Sequence, residues 1–263
     1  MLAKFEETGD EAVRPNVITF NSILSTYSRR GDVDGAIEVW KMMKDDTLRL
    51  GNKDATPNLL SYSILIDTWS KSERPDAAIN AESLLKELVD LHDEGKIDKG
   101  PDTIAYSSVI NCWSKSDSPE APQRALDILK TMTLKYEEGR NDNIRPNTIT
   151  YATVMSAYAR RGDVRGAKEV FRMMKKDFSS GNENAKLNVP VYSILINAWA
   201  KSENHKSAPI EAELLLQEMA DLHSKGNLTN GPNTIAYNSV INCWCKSDRK
   251  EAPQRSLDIL RSM

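Results

Sequence analysis

Residues 14–32, RPNVITFNSILSTYSRRGD, return 131 residues later as RPNTITYATVMSAYARRGD at 145–163. Both stretches open on Arg-Pro-Asn, carry an aromatic in the middle and close on Arg-Arg-Gly-Asp. Self-similarity at a fixed period constrains a fold more than any composition does, because each period must be one structural unit stacked on the next. Anchoring on the aromatic gives six units, at Phe20, Tyr62, Tyr106, Tyr151, Tyr192 and Tyr237, spaced by 42, 44, 45, 41 and 45 residues. Unit one matches four best, two matches five, and three matches six, so a block of three units has been duplicated. The start, MLAKFEE, resembles Met132 and its followers, MTLKYEE, and Met263 falls at the same place in the period. Those ends lie partway through a unit, which predicts a fragment of a longer array.

Within each unit the apolar residues recur at +3, +4 and +7 from the aromatic. In the first they are Phe20, Ile23, Leu24 and Tyr27; in the sixth, Tyr237, Val240, Ile241 and Trp244. That spacing is the stripe of an amphipathic helix, not the alternation of a strand. Pro-Asn or Pro-Asp precedes five of the six helices as a turn and helix start, while in LNVP (187–190) the proline comes late and predicts an irregular start. A second helix follows in each unit, with Ala36, Ile37, Trp40 and Met43, or Leu126, Leu129 and Met132, on one face. Such helix pairs cannot bury an apolar face alone and must stack. The expected fold is all-α: a right-handed α-solenoid of helix-turn-helix repeats, one array over 1–263. Its repeats lie at about 14–56, 57–100, 101–144, 145–186 and 187–230, with partial units at 1–13 and 231–263.

Composition narrows the function. No apolar run is long enough to span a bilayer. The first fifteen residues are acidic and resemble neither a signal nor a transit peptide. Three cysteines are an odd number for a disulfide framework. A net charge of −3 counts against a nucleic-acid binder, although the placement of charge can outweigh its sum.

Placement is where the pattern departs from packing. Positions +1, +5 and +9 lie roughly opposite the apolar stripe. Position +1 reads Asn21, Ser63, Ser107, Ala152, Ser193 and Asn238; position +5 reads Ser25, Asp67, Asn111, Ser156, Asn197 and Asn242. Position +9 reads Arg29, Lys71, Lys115, Arg160, Lys201 and Lys246, all basic. Any one of these is an ordinary solvated surface, and duplication makes the six less than independent. A line of cations at the repeat period nevertheless suits a polymer of regularly spaced phosphates.

At these residues the chain resembles the pentatricopeptide repeat family of RNA-binding helical repeats, which read one base per repeat. The resemblance spans nearly the whole chain and rests on Pro-Asn or Pro-Asp, a short apolar lead, a Thr-Tyr-Asn-like opening, an apolar helix and a late basic residue. The units here are longer than the family's usual repeat, the surplus falling after the second helix, as in LVDLHDEGKIDKGPD. The resemblance implies that base selection is shared by Asn21 with Asn58, Ser63 with Asp102, Ser107 with Asn147, Ala152 with Asn188, and Ser193 with Asn233, leaving Asn238 without its second residue. It implies that Ile18, Leu60, Ile104, Ile149, Pro190 and Ile235 flank the bases, and that the +9 cations face the phosphates. The implied target is single-stranded RNA reading 5′-C-G-A-N-A-pyrimidine-3′, unspecified where Ala152 offers no polar atom. It further implies a mitochondrial or plastid setting and a role in RNA processing, stability or translation.

Other signals are better read as structure. Trp69, Trp113, Trp199 and Trp244 lie on the packing stripe, where Tyr27 and Tyr158 replace them, so they are expected in the core and not as stacking platforms. Cys112, Cys243 and Cys245 lack nearby histidines, and His92, His205 and His223 are scattered. No phosphate loop, metalloprotease pair, deaminase signature or nucleophile elbow occurs, so the expectation is no enzyme, no cofactor, no metal and no small-molecule substrate. The rival to RNA is a scaffold that binds proteins in the manner of tetratricopeptide arrays, or a mixed use with protein partners on the convex face.

Overall fold

The computed structural model describes residues 13–139, 141–203 and 206–263. All but the last residue of the partial unit expected at 1–13 lies outside them, as does His205. Among the described residues there are twelve α-helices and no strand. They are α1 Val17–Arg30, α2 Val33–Leu48, α3 Leu59–Lys71, α4 Ala77–Asp93, α5 Thr103–Lys115, α6 Ala121–Gly139, α7 Thr148–Arg160, α8 Val164–Ser179, α9 Val189–Lys201, α10 Ala208–Ser224, α11 Thr234–Cys245 and α12 Ala252–Ser262. Odd-numbered helices are the first and even-numbered the second of each pair. The chain forms two compact units, Met1–Cys112 and Trp113–Met263.

Each repeated sequence word has a local job. The asparagine of Pro-Asn caps the first helix. Asn16 Oδ1 accepts from the Thr19 backbone N–H, Asn58 from Ser61 and Asn147 from Thr150, and each of these hydroxyl oxygens accepts in turn from the backbone N–H of its cap residue. In α9 the displaced proline does not disturb the cap, contrary to the irregular start expected there. Asn188 still accepts from the Val191 N–H at 3.1 Å, and Pro190 occupies the first turn, where its missing N–H would have had no helical partner. Arg-Arg-Gly-Asp is the turn between the two helices of a pair. Gly31 (φ 66°) and Gly162 (φ 67°) supply the left-handed residue, and Asp32 and Asp163 then cap the next helix through the N–H groups of Gly35 and Gly166.

The apolar stripe buries as expected at the aromatics Phe20, Tyr62, Tyr106, Tyr151 and Tyr192, all 2% exposed or less. In the first described repeat Ile23 at +3 is exposed, although its five counterparts are buried; in the sixth, Ile241 at +4 is half-buried. The +3 side of a first helix therefore packs toward the preceding repeat and the +4 side toward the following one. In the first unit Phe20, Leu24, Ala36, Trp40, Met43, Tyr62 and Leu88 share one core, with Trp40 edge-on to Tyr62 at 4.9 Å between ring centroids. The second unit repeats that contact with Phe171 and Tyr192 at 5.3 Å. The four stripe tryptophans are 3–8% exposed, each with a cation over its ring, from Arg74, Arg124, Lys168 or Arg255. They belong to the core.

Charged groups join consecutive pairs from the second-helix side. Lys44 meets Glu87 at 2.5 Å, and Glu87 also accepts from the Tyr62 hydroxyl at 2.9 Å; Lys175, Glu218 and Tyr192 reproduce the arrangement at 2.5 and 2.8 Å. Buried phenols make the fold sensitive to alkali. Burial, with the Asp93 charge second, pushes Tyr106 up to about 12, and burial followed by nearby carboxylates pushes Tyr158 to about 12. Burial and their carboxylate partners raise Tyr62, Tyr151 and Tyr192 further. A phenol raised in this way contributes stability that is complete below its unfolded pKa of about 10 and is lost as pH climbs through the folded value. Helicity followed by circular dichroism should hold to about pH 10 and collapse between about pH 10 and 12. The Tyr106 hydroxyl is buried without a hydrogen-bond partner, so Tyr106→Phe should shift that collapse to higher pH without loss at neutrality. An unchanged midpoint would remove Tyr106 from the cause.

Candidate nucleic-acid interface

The residues at +1, +5 and +9 all sit on first helices, and the structure shows what each is tied to. Asn21 is 6% exposed, and its amide Nδ2 donates to Asn58 Oδ1 at 3.5 Å, so this sequence-predicted pair does come together. Ser63, Ser107, Ala152 and Ser193 are half-buried and Asn238 is exposed. Ser193 Oγ donates back to the Val189 carbonyl within its own helix.

The second member of every pair is an N-cap. Asn58, Asn147, Asn188 and Asn233 accept backbone N–H groups at 3.0–3.2 Å, and Asp102 accepts from Ala105 at 2.9 Å. Capping explains Asn or Asp at this place without any ligand, at about 1 kcal/mol of helix stability each. It also fixes what each side chain can offer beyond the helix. An asparagine whose oxygen is committed to the cap presents its NH₂ donors, whereas Asp102 presents a second acceptor oxygen.

The residues expected to flank bases form the clearest surface feature. Ile18, Leu60, Ile104, Ile149 and Ile235 are 70, 57, 68, 69 and 67% exposed, and Pro190 is exposed at the same register. Each stands in the first turn of a first helix, one position before the cap's N3 partner. Neither packing nor capping calls for a large aliphatic side chain there.

A family model described as "PPR repeat family" matches residues 15–71, and a second, "PPR repeat", matches residues 142–175. These two stretches carry pentatricopeptide repeats. No curated protein matches it. Among solved structures the chain is similar to the maize pentatricopeptide repeat protein PPR10, at 20% identity and a TM-score of 0.48. It is likewise similar to PPR10 in complex with an 18-nt psaJ RNA element, at 22% identity and a TM-score of 0.47. Both comparisons cover 100% of this chain and 36% of the other, so the chain spans about a third of the PPR10 length.

The +9 cations divide by their contacts. Arg160 Nη1 donates to the Ser114 carbonyl at the end of α5 (2.6 Å), and Lys246 Nζ donates to the Ala200 carbonyl at the end of α9 (2.8 Å), each reaching 46 residues back. A cation at a helix C-terminus satisfies a carbonyl that has no helical partner and complements the dipole. Lys71 is held by Asp67 at 2.5 Å, and Asp67 also accepts from Ser28 Oγ at 2.9 Å. All six +9 residues are exposed. Uniform basicity at +9, which the sequence alone relates to phosphates, is thus partly a helix-capping requirement between neighbouring repeats. That role could have been suspected from the helix-terminal position, but not its partners.

Cys112 and Cys243 are buried and Cys245 exposed. Burial pushes the Cys243 thiol up to about 12, so it stays protonated at neutral pH. His92 and His223, at the ends of α4 and α10, donate Nδ1–H to the Ile97 and Leu228 carbonyls and hold the long exit loops against their helices. No group of His, Cys, Asp and Glu able to hold a metal occurs among the described residues, and no helix there is long and apolar enough to cross a membrane.

Proposed function

We propose that the chain binds single-stranded RNA, one base per repeat, with the +1 residue and the next N-cap reading the base edge. The observation that carries this reading is the exposed aliphatic ladder at Ile18, Leu60, Ile104, Ile149 and Ile235. Large exposed apolar groups at one register of successive repeats are spaced to pack against successive flat bases, and folding by itself gives no reason for them. Beside each, a capped Asn or Asp offers donors or an acceptor of fixed orientation, which is what discrimination among base edges requires. PPR10, the similar solved protein, is described in complex with RNA. By family likeness the RNA would be an organellar transcript, in a mitochondrion or plastid, with the protein acting in its processing, stability or translation.

The test is fluorescence anisotropy with an RNA containing CGANAC, its scramble and the DNA equivalent, at low and high salt. Cognate preference with salt sensitivity supports the reading. Ser107→Asn should then move the preference at the third base from A toward C by about tenfold, the discrimination of one good hydrogen-bond pair. Salt-sensitive binding with no preference would discard base selection and leave only a backbone binder. No binding at low salt would favour the protein scaffold.

A further inference from the structure

The duplication supplies an internal control for a groove on the second-helix side of the second unit. Beside Trp199 lies a groove of about 430 Å³, lined along α8 by Arg165, Lys168 and Arg172 and at the opposite lip by Ser202 and Glu203. The corresponding α2 residues in the first block, 131 positions earlier, are Asp34, Ile37 and Lys41. There Arg74 reaches across to Asp34 at 2.7 Å and lies over the Trp69 ring at 5.5 Å. In the second block Asp34 has become Arg165, and the stretch after Lys201, SENHKS, contains no arginine. The bridging pair is replaced by positive charge, three units more positive along one helix face than its duplicate.

Two of those cations are uncommitted. Lys168 is paired with Glu211 at 2.9 Å and lies over Trp199 at 5.3 Å. Arg165 and Arg172 are exposed and have no ion pair among the described residues. They stand on the same stripe, seven residues and therefore about 10 Å apart along α8. The Trp199 indole N–H is buried without a hydrogen-bond partner, whereas its counterpart at Trp244 donates to Glu213 at 3.0 Å. A carboxylate is thus missing here where a neighbouring repeat supplies one.

We infer that this groove docks an acidic peptide segment of a partner protein, with carboxylates spaced to meet Arg165, Lys168 and Arg172. The groove is ill-suited to single-stranded nucleic acid, because Trp199 is 8% exposed with Lys168 over its face and leaves no ring on which a base could stack. Glu203 and Glu211 flank the cations, so a polymer charged at every unit would meet like charge on both sides. A peptide with glutamates on one helical face, at i, i+3 and i+7, meets the cations alone. Its three cations stand on a second helix, α8, and the proposal stands independently of RNA binding by the first-turn residues of the first helices.

The experiment uses the whole chain and a fluorescein-labelled helical peptide with glutamates at i, i+3 and i+7, beside a peptide with glutamines there, at two salt concentrations. The expected result is salt-sensitive binding of the glutamate peptide only. Arg165→Asp combined with Arg172→Glu should weaken it about tenfold or more, since rim charges of the wrong sign repel the ligand. Lys41→Glu, the reversal at the first-block counterpart, should leave it unchanged, and unlabelled CGANAC RNA should not displace the peptide. Should the double variant lose helicity, Arg172→Gln carries the same comparison in smaller degree. Equal binding of both peptides, or undiminished binding by the folded variants, overturns the proposal. Displacement by RNA, with the double variant weakening RNA instead, also overturns it and makes the groove a nucleic-acid surface.

Discussion

Gly162→Ala should lower the thermal midpoint of the chain by about 10 °C, the larger part of which Gly31→Ala should not reproduce. Both glycines end a first helix in the left-handed region, at φ 67° and 66°. Placing a Cβ in that conformation costs about 1 kcal/mol at either site. The difference lies in what the Cβ meets. At Gly31 the nearest atom is the Lys71 carbonyl oxygen at 3.6 Å, an ordinary contact. At Gly162 the equivalent atom, the Lys201 carbonyl oxygen, would be 2.7 Å away and its carbon 3.0 Å. These are backbone atoms of the next first helix, so relief requires α7 and α9 to move apart, adding about 2 kcal/mol of overpacking. Scanning calorimetry of the two variants decides it. A loss at Gly162 no greater than at Gly31 would mean that the repeats slide past one another without cost.

The second large effect separates binding from folding. Replacing Ile18, Leu60, Ile104, Ile149 and Ile235 together by serine should leave the thermal midpoint within a few degrees of the parent. All five side chains are more than half exposed, and surface substitutions of that kind stay within about 0.5 kcal/mol each. RNA affinity should fall by about a hundredfold or more, because stacking-type contacts contribute about 1–3 kcal/mol per base and several are lost together. Anisotropy and calorimetry on the same sample give both numbers. Unchanged affinity would remove the ladder from the binding surface and with it the main support for the RNA reading. A collapsed midpoint would show that the ladder packs in the folded chain.

The fold was written openly because its code is local and repeated. Phe20, Leu24 and Tyr27 mark a helix by spacing, Pro-Asn starts it, Gly-Asp turns it, and six copies make each inference several times over. The four tryptophans were placed in the core for the same reason, since they share a register with Tyr27 and Tyr158. Partnership across repeats could not be read this way. Nothing in the string says that Arg160 reaches the Ser114 carbonyl or that Ser28 donates to Asp67, because those contacts depend on how far one helix is shifted along its neighbour. The N-cap role of Asn58 and Asp102 lay within reach of local rules, and it fixes which atoms they can show to a base.

What the sequence determined by itself is the unit and its repetition: helix pairs of 41–45 residues, their caps, their turn and the face each helix buries. These depend on residues within about four positions of each other, where chain geometry is fixed by the helix itself. The tertiary structure alone decided which polar groups are spent on holding repeats together and which are left for a ligand. It assigned Lys246 to a carbonyl of the preceding repeat, left Ile104 standing in solvent, and opened a basic groove beside Trp199 where Trp69 has a bridging arginine. Contacts between residues some 40 positions apart depend on the distance between packed helices, which is set by every side chain at the interface at once.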